Sequence, residues 1–199
     1  PAGHEARAAL VAVMQGLEQD GMNRAAAGNA SVRTARGFLI TPTGVVPAEL
    51  TPASMVEMSL DGSVLSPDWR PSSEWRFHRD IYRHRPEVDA VVHVHSPYAT
   101  AQACTRQDIP PFHYMIVAGG GADIRCAPYA TFGTQALSDR ALEALHERRA
   151  CLLANHGLIA LGPTLARARR LAVEVEELAR QYLLARQTGQ LVLLSPAEI

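Results

Sequence analysis

Residues 88–95, "VDAVVHVH", form a short, apolar, β-branched run just past Pro86, which is the chemistry of a buried strand. Successive side chains on a strand point to opposite faces, so His93 and His95 emerge together while Val92 and Val94 face the other way. Two imidazoles about 7 Å apart along one face can converge on a single ion. A solvated sheet face accommodates the same pair, so the strand alone leaves both readings open.

Working outward, "RPSSEWRFHRDIYRHRP" (70–86) places Phe77, His78, Ile81 and Tyr82 on one helical face, with a serine pair at its start and Pro86 as a stop; the spacing predicts a helix over 73–84. On the other side "PYATAQAC" (97–104) reads as a short helix. "RRACLLANHGLIALG" (148–162) reads as a buried strand broken near Asn155-His156-Gly157. Toward the N-terminus, Ala9, Leu10, Val13, Met14 and Leu17 predict an amphipathic helix over 5–19. "ASVRT" and "GFLIT" then read as strands, "TPTG" as a turn, and "MVEMSL" alternates with period two before "DGS". The longest helix is expected over 164–186, with Leu171, Val175, Leu178 and Tyr182 among its apolar face; periodicity does not say whether that face meets the core or another subunit. Strands alternating with helices make this an α/β protein. No repeat, low-complexity run or linker interrupts it, so residues 1–199 are expected to form a single domain.

A chain of 199 residues with 47% hydrophobic and 20% charged residues is large enough to bury a core without disulfide or metal staples. The net charge of −1 gives no reason to expect nucleic acid as a partner, and no apolar stretch approaches the ~18 residues of a membrane span. The opening "PAGHEARAAL" is polar and mixed in charge, unlike a secretory signal, and Cys104, Cys126 and Cys151 are odd in number and unpaired by spacing, which suits reduced thiols and a cytoplasmic location. All 19 Lys+Arg residues are arginine. The absence of lysine closes Schiff-base chemistry and the GxxxxGK[ST] phosphate loop to this chain. "AGGGAD" (118–123) is accordingly a glycine-rich turn.

His156 follows the apolar "CLLAN" and precedes Gly157, so it is presented at a strand terminus where the backbone can turn sharply. A lone histidine there has an ordinary structural reading. Together with His93 and His95 it resembles an open catalytic metal site, in which three or four protein ligands leave room for substrate. In "PSSEW" (71–75), Ser72 and Ser73 read as helix N-caps with Glu74 suiting the macrodipole; the same hydroxyls and amides would also hold a phosphate, with Glu74 beside it. "AGNAS" (27–31) and "TPTG" (41–44) are either plain turns or approaches for an anion. Arg76, Arg79 and Arg83, with Asp80 among them, read as a solvated helix face.

In order along the chain, "AGNASVR", "LITPTG", "RPSSEWRFH", "AVVHVHSPYATA", "HYMIVAGG", "CAPYATFGT" and "NHGLIALG" resemble the class II aldolase and adducin family, from the first helix to residue 185. "SSEWRFH", "HYMI" and "CAPYATFGT" are similar to its fuculose-phosphate branch in particular. The resemblance implies a three-layer α/β/α sandwich around a mainly antiparallel sheet, assembled as a homotetramer. It implies that His93, His95 and His156 bind one Zn²⁺ per subunit, joined in the free enzyme by Glu74, the acid/base. It further implies a substrate-phosphate pocket of Gly28, Asn29, Thr43, Gly44, Ser72 and Ser73, and that Tyr114 reaches a neighbouring subunit's site. A further tyrosine of this branch's C-terminal tail has no counterpart in residues 185–199.

The reaction so implied is reversible aldol cleavage of a ketose 1-phosphate, such as L-fuculose 1-phosphate, to dihydroxyacetone phosphate and an aldehyde such as L-lactaldehyde. With iminium chemistry closed, a Lewis acid must take the charge of the enediolate. Alternatives within the family are cleavage of 5-deoxyribulose 1-phosphate, dehydration of methylthioribulose 1-phosphate and 4-epimerisation of ribulose 5-phosphate. A non-enzymatic adducin-like binding module is the alternative of another kind, and four intact ligand residues speak against it.

Overall fold

A computed structural model of the protein describes residues 2–66 and 68–199. Seven strands form one sheet: β1 (Asn29–Thr34), β2 (Gly37–Ile40), β3 (Val56–Met58), β4 (Ala90–Val94), β5 (Cys126–Ala127), β6 (Ala150–Leu153) and β7 (Gly157–Gly162). Their order is β3-β2-β1-β4-β7-β6-β5, and every pairing is antiparallel except β5 with β6. The five α-helices among the described residues are α1 (Ala2–Gln19), α2 (Trp75–His84), α3 (Pro97–Ala103), α4 (Gln135–Ala144) and α5 (Leu165–Thr188).

The strand "VDAVVHVH" becomes β4, the middle of the seven, and it is buried on both faces, which is why its sequence is nearly continuous apolar. Val92 and Val94 pack with Leu10, Met14 and Leu17 of α1 and with Val175 and Leu178 of α5. Val91 packs on the opposite face with Phe77 and Ile81 of α2 and Leu137 of α4. The two apolar clusters are the two interfaces of an α/β/α sandwich. The apolar stripe of α5 is therefore core: Val175 and Ala179 are fully buried against the sheet.

Local boundaries depart from periodicity in informative places. The strand stops at Val94, so His95 lies just beyond it, where the chain turns into α3. Helix α2 opens at Trp75 with Glu74 as its N-cap residue, and no side chain caps it there; the serine N-cap expected at its start is displaced. Ser72 instead uses its hydroxyl to accept the Glu74 amide N–H at 3.3 Å. The break at Asn155-His156-Gly157 is a tight β6–β7 connection with Asn155 at φ 56°, a left-handed conformation asparagine tolerates. The arginine face of α2 is less solvated than its spacing implies: Arg76 donates to the Gly133 carbonyl, Arg79 pairs with buried Asp80, and both guanidiniums stack on Trp75.

Candidate metal centre and adjoining cavity

The sheet order β1-β4-β7 brings four sequence-distant side chains to one end of the sheet. His93 projects from β4, His95 follows it, His156 sits in the β6–β7 connection, and Glu74 precedes α2. The three imidazole centroids are 4.8 Å apart pairwise, each ring edge-on to the others. His93 Nε2 lies 3.0 Å from His95 Nε2 and 3.1 Å from Glu74 Oε2, and His156 Nε2 lies 3.2 Å from Glu74 Oε1. All four ligand atoms fall within 4.8 Å of one another.

His93, His95 and Glu74 are each held by local contacts. His93 Nδ1–H donates to the Leu158 carbonyl at 2.8 Å, which directs Nε2 into the cluster. The backbone N–H of His95 donates to Asn23 Oδ1 at 2.9 Å. Gly28 (φ 73°) sits so close that a Cβ there would meet the His93 carbonyl oxygen and the Asn23 amide, so glycine is required both by conformation and by space. Glu74, only 6% exposed, accepts from Asn29 Nδ2–H at 2.9 Å on Oε2. Its Oε1 is buried without any hydrogen-bond partner.

Electrostatics follow from this packing. Burial opposes charge on both His93 and Glu74, but each holds the other charged: the His93 proton is bound more tightly than usual and the Glu74 carboxyl stays well below the carboxylate range. Burial, then the charge on His93, pushes His95 down to about 3 and His156 to about 4. Two imidazoles that resist protonation thus face the buried His93–Glu74 pair. An orphaned carboxylate oxygen beside three convergent imidazole nitrogens, in a polar pocket, fits a divalent cation better than it fits an isolated protein cluster. His93, His95, His156 and Glu74 are the residues that could hold it.

A cavity of about 320 Å³ opens onto this cluster. Gly28, Asn29, Thr43, Gly44, Ser72 and Ser73 line it together with Glu74, His95 and His156. Tyr129 and Phe132, both largely exposed, also belong to the lining. The structure therefore brings the six expected phosphate-pocket residues together around one space. The Asn29 carboxamide, however, is already engaged by Glu74 and by His78. Tyr114 is not brought to this cavity: it stands on a 3₁₀ turn (Tyr114–Gly119), 66% exposed, outside the lining. Asn23, Tyr129 and Phe132 are not singled out by sequence, and His78 appears there only as part of one helical face. For His78 a signal existed, since a helix puts residue 78 on the same face as Glu74 four positions earlier.

The comparisons with known proteins agree with this architecture. A family model described as the Class II Aldolase and Adducin N-terminal domain matches residues 8–183. A Rhodospirillum rubrum protein named 5-methylthioribulose-1-phosphate/5-deoxyribulose-1-phosphate aldolase is 55% identical over 162 residues, 81% of this chain and 73% of its own. An Escherichia coli K12 L-fuculose phosphate aldolase is 49% identical over 164 residues, 82% of this chain and 75% of its own. A solved structure of an L-fuculose 1-phosphate aldolase superposes with a TM-score of 0.94 at 37% identity, covering 98% of this chain and 92% of that one. The chain belongs to the class II aldolase and adducin family. Within that family its relatives are aldolases, and it is a class II aldolase, a lyase of carbon–carbon bonds. No helix among the described residues is long and apolar enough to cross a membrane.

Proposed function

We propose that this aldolase is a zinc enzyme that reversibly cleaves a ketose 1-phosphate to dihydroxyacetone phosphate and an aldehyde. The observation that carries the reading is the placement of Glu74: its Oε1, without a hydrogen-bond partner, lies beside the histidine cluster, and Glu74 lines the same cavity as serine, threonine and glycine residues. Zinc held by His93, His95 and His156 supplies Lewis acidity toward the negative charge that develops beside the donor carbonyl during cleavage or addition. Glu74, which would join the three histidines in holding the metal, moves the proton at the donor carbon. Thr43, Ser72 and Ser73 offer hydroxyls, and Gly28 and Gly44 open approaches, to the phosphate at the cavity wall. The Asn29 side chain serves that wall less directly, since its amide is spent on Glu74.

Tyr114, exposed and remote from its own cavity, acts on a neighbouring copy in a homotetramer, its hydroxyl donating toward the aldehyde oxygen. The enzyme works in the cytoplasm as one catalytic domain per chain. L-Fuculose 1-phosphate, yielding L-lactaldehyde, is the first substrate. The Rhodospirillum rubrum relative supports a second reading, in which 5-deoxyribulose 1-phosphate or 5-methylthioribulose 1-phosphate is cleaved. The Tyr129 and Phe132 rings of the lining suit the deoxy or methylthio end of such a substrate.

Replacement of Glu74 by Gln tests the mechanism: zinc content is retained while turnover falls by about 10²–10⁴-fold. Full turnover in that variant overturns the assignment. A panel of the three ketose phosphates, with coupled detection of dihydroxyacetone phosphate, ranks the substrates and separates aldol cleavage from dehydration or epimerisation.

A further inference from the structure

A buried row of side chains runs away from Glu74 between β1 and α2. Glu74, immediately before α2, and His78 and Tyr82 within it follow one another at intervals of four, and Asn29 and Ser31 at an interval of two along one face of β1. Four helical residues rise ~6 Å and two strand residues ~6.7 Å. The two sets therefore interleave: Glu74, Asn29, His78, Ser31, Tyr82. Asn29 Nδ2 to Glu74 Oε2 is 2.9 Å, His78 Nε2 to Asn29 Oδ1 2.5 Å, Ser31 Oγ to His78 Nδ1 2.6 Å, and Tyr82 Oη to Ser31 Oγ 2.8 Å. His78 and Ser31 are fully buried and Tyr82 is 2% exposed.

The donors in this row have a forced direction. An ionised carboxylate only accepts, so the Asn29 amide N–H must point at Glu74 and its carbonyl oxygen must face His78. His78 Nε2 must then carry a proton. With no counter-ion in contact and no exposure, the ring is neutral; burial, joined by the charge on His93, lowers its pKa to about 3. Nδ1 is therefore bare and accepts the Ser31 hydroxyl, which in turn accepts from Tyr82, whose own burial keeps its phenol protonated. Every hydrogen bond runs toward Glu74.

We propose that His78 is a positioning residue which, by locking the orientation of the Asn29 carboxamide, fixes Glu74 Oε2 beside His93 and leaves Oε1 as the oxygen that exchanges protons with substrate. The inference rests on Glu74 being the acid/base. If Asn29 turned over, it would present its carbonyl oxygen to a carboxylate and drive Glu74 out of place. Asn29 thereby belongs to the Glu74 support as well as to the cavity wall.

The test compares His78→Leu, which removes the donor to Asn29, with His78→Gln, which keeps an N–H in its place. The expected result is that His78→Leu lowers kcat by about 10–100-fold at nearly unchanged KM and zinc content, and that His78→Gln recovers most of it. Equal kcat in folded wild type and His78→Leu overturns the proposal. So does a Gln variant as slow as Leu. If His78→Leu fails to fold, ¹⁵N-histidine NMR of the intact enzyme decides: an Nε2–H tautomer at His78 supports the proposal and an Nδ1–H tautomer overturns it. Failure of the Glu74 reading shows itself separately, as undiminished turnover in Glu74→Gln.

Discussion

The Nε2 atoms of His93 and His95 stand 3.0 Å apart, with Glu74 Oε2 3.1 Å from the first of them. Three groups this close cannot each keep an independent protonation state. A cation at their meeting point would satisfy all of them at once. Replacing His95 by Ala should therefore lower bound metal by at least tenfold in elemental analysis of the purified protein; undiminished stoichiometry would remove His95 from the ligand set.

Metal binding should also release protons in a defined pattern. His93 holds its proton firmly beside Glu74, whereas His95 and His156, at about 3 and about 4, are already neutral at pH 7. A histidine with a lowered pKa is deprotonated at every pH above that value. Loading metal into the stripped protein should thus displace the proton of His93, and none from His95 or His156. Calorimetry in two buffers of different ionisation enthalpy counts it. On acidification bound metal should be lost progressively, His93 being the first of the three imidazoles to take up a proton and His95 and His156 the last.

Gly28 and Gly44 share nearly the same positive φ, 73° and 72°, but differ in their surroundings. A Cβ at Gly44 meets nothing within 4 Å, while one at Gly28 meets Asn23 and the His93 carbonyl. Gly44→Ala should cost about 1 kcal/mol of backbone strain, and Gly28→Ala clearly more, about 2–4 kcal/mol, with weakened metal binding. Denaturant unfolding of the two variants gives the order.

Ser73 is exposed on the cavity wall, and Ser72 beside it is buried. Ser73→Ala should raise KM for a phosphorylated ketose several-fold and leave kcat nearly unchanged. An equal effect on a non-phosphorylated analogue would separate Ser73 from phosphate binding.

Asp80 joins α2 to α4, accepting from Arg79, from Gln135 at 2.7 Å and from Ser138 at 2.7 Å while only 4% exposed. Burial raises its pKa, but these hydrogen bonds outweigh it and hold the carboxyl below its ordinary 3.8. With the folded value depressed, the contribution to stability is complete above pH 3.8 and disappears as pH falls through the folded value. Asp80→Asn should cost about 1–3 kcal/mol at neutral pH, and the difference from wild type should shrink in acid.

Much of this was readable residue by residue. The alternation in "VDAVVHVH" put His93 with His95, the apolar run before His156 placed it at a strand end, and the spacing in 70–86 set one face of α2. Of the face expected to be solvated, Arg83 is exposed, but Asp80, Arg76 and Arg79 are drawn into contacts, because a charge pattern does not reveal that α4 packs across them. His78 was read as one more buried face residue. Its role depends on Asn29 and Ser31, forty-nine and forty-seven positions away, meeting it across the helix–sheet interface.

By itself the sequence determined the chemistry open to this protein: no lysine for an iminium, three histidines at strand ends, and a carboxylate at the mouth of a helix. Periodicity specifies which side of its own element a residue occupies, since that depends only on backbone geometry. It does not specify which other element that side will face. Only the order β1-β4-β7, with α2 laid over it, decided that Glu74, His93, His95 and His156 share one point and that a hydrogen-bonded row from Tyr82 ends on Glu74. Those contacts join residues distant in the chain, where packing of the whole sandwich, and no local preference, selects the partner.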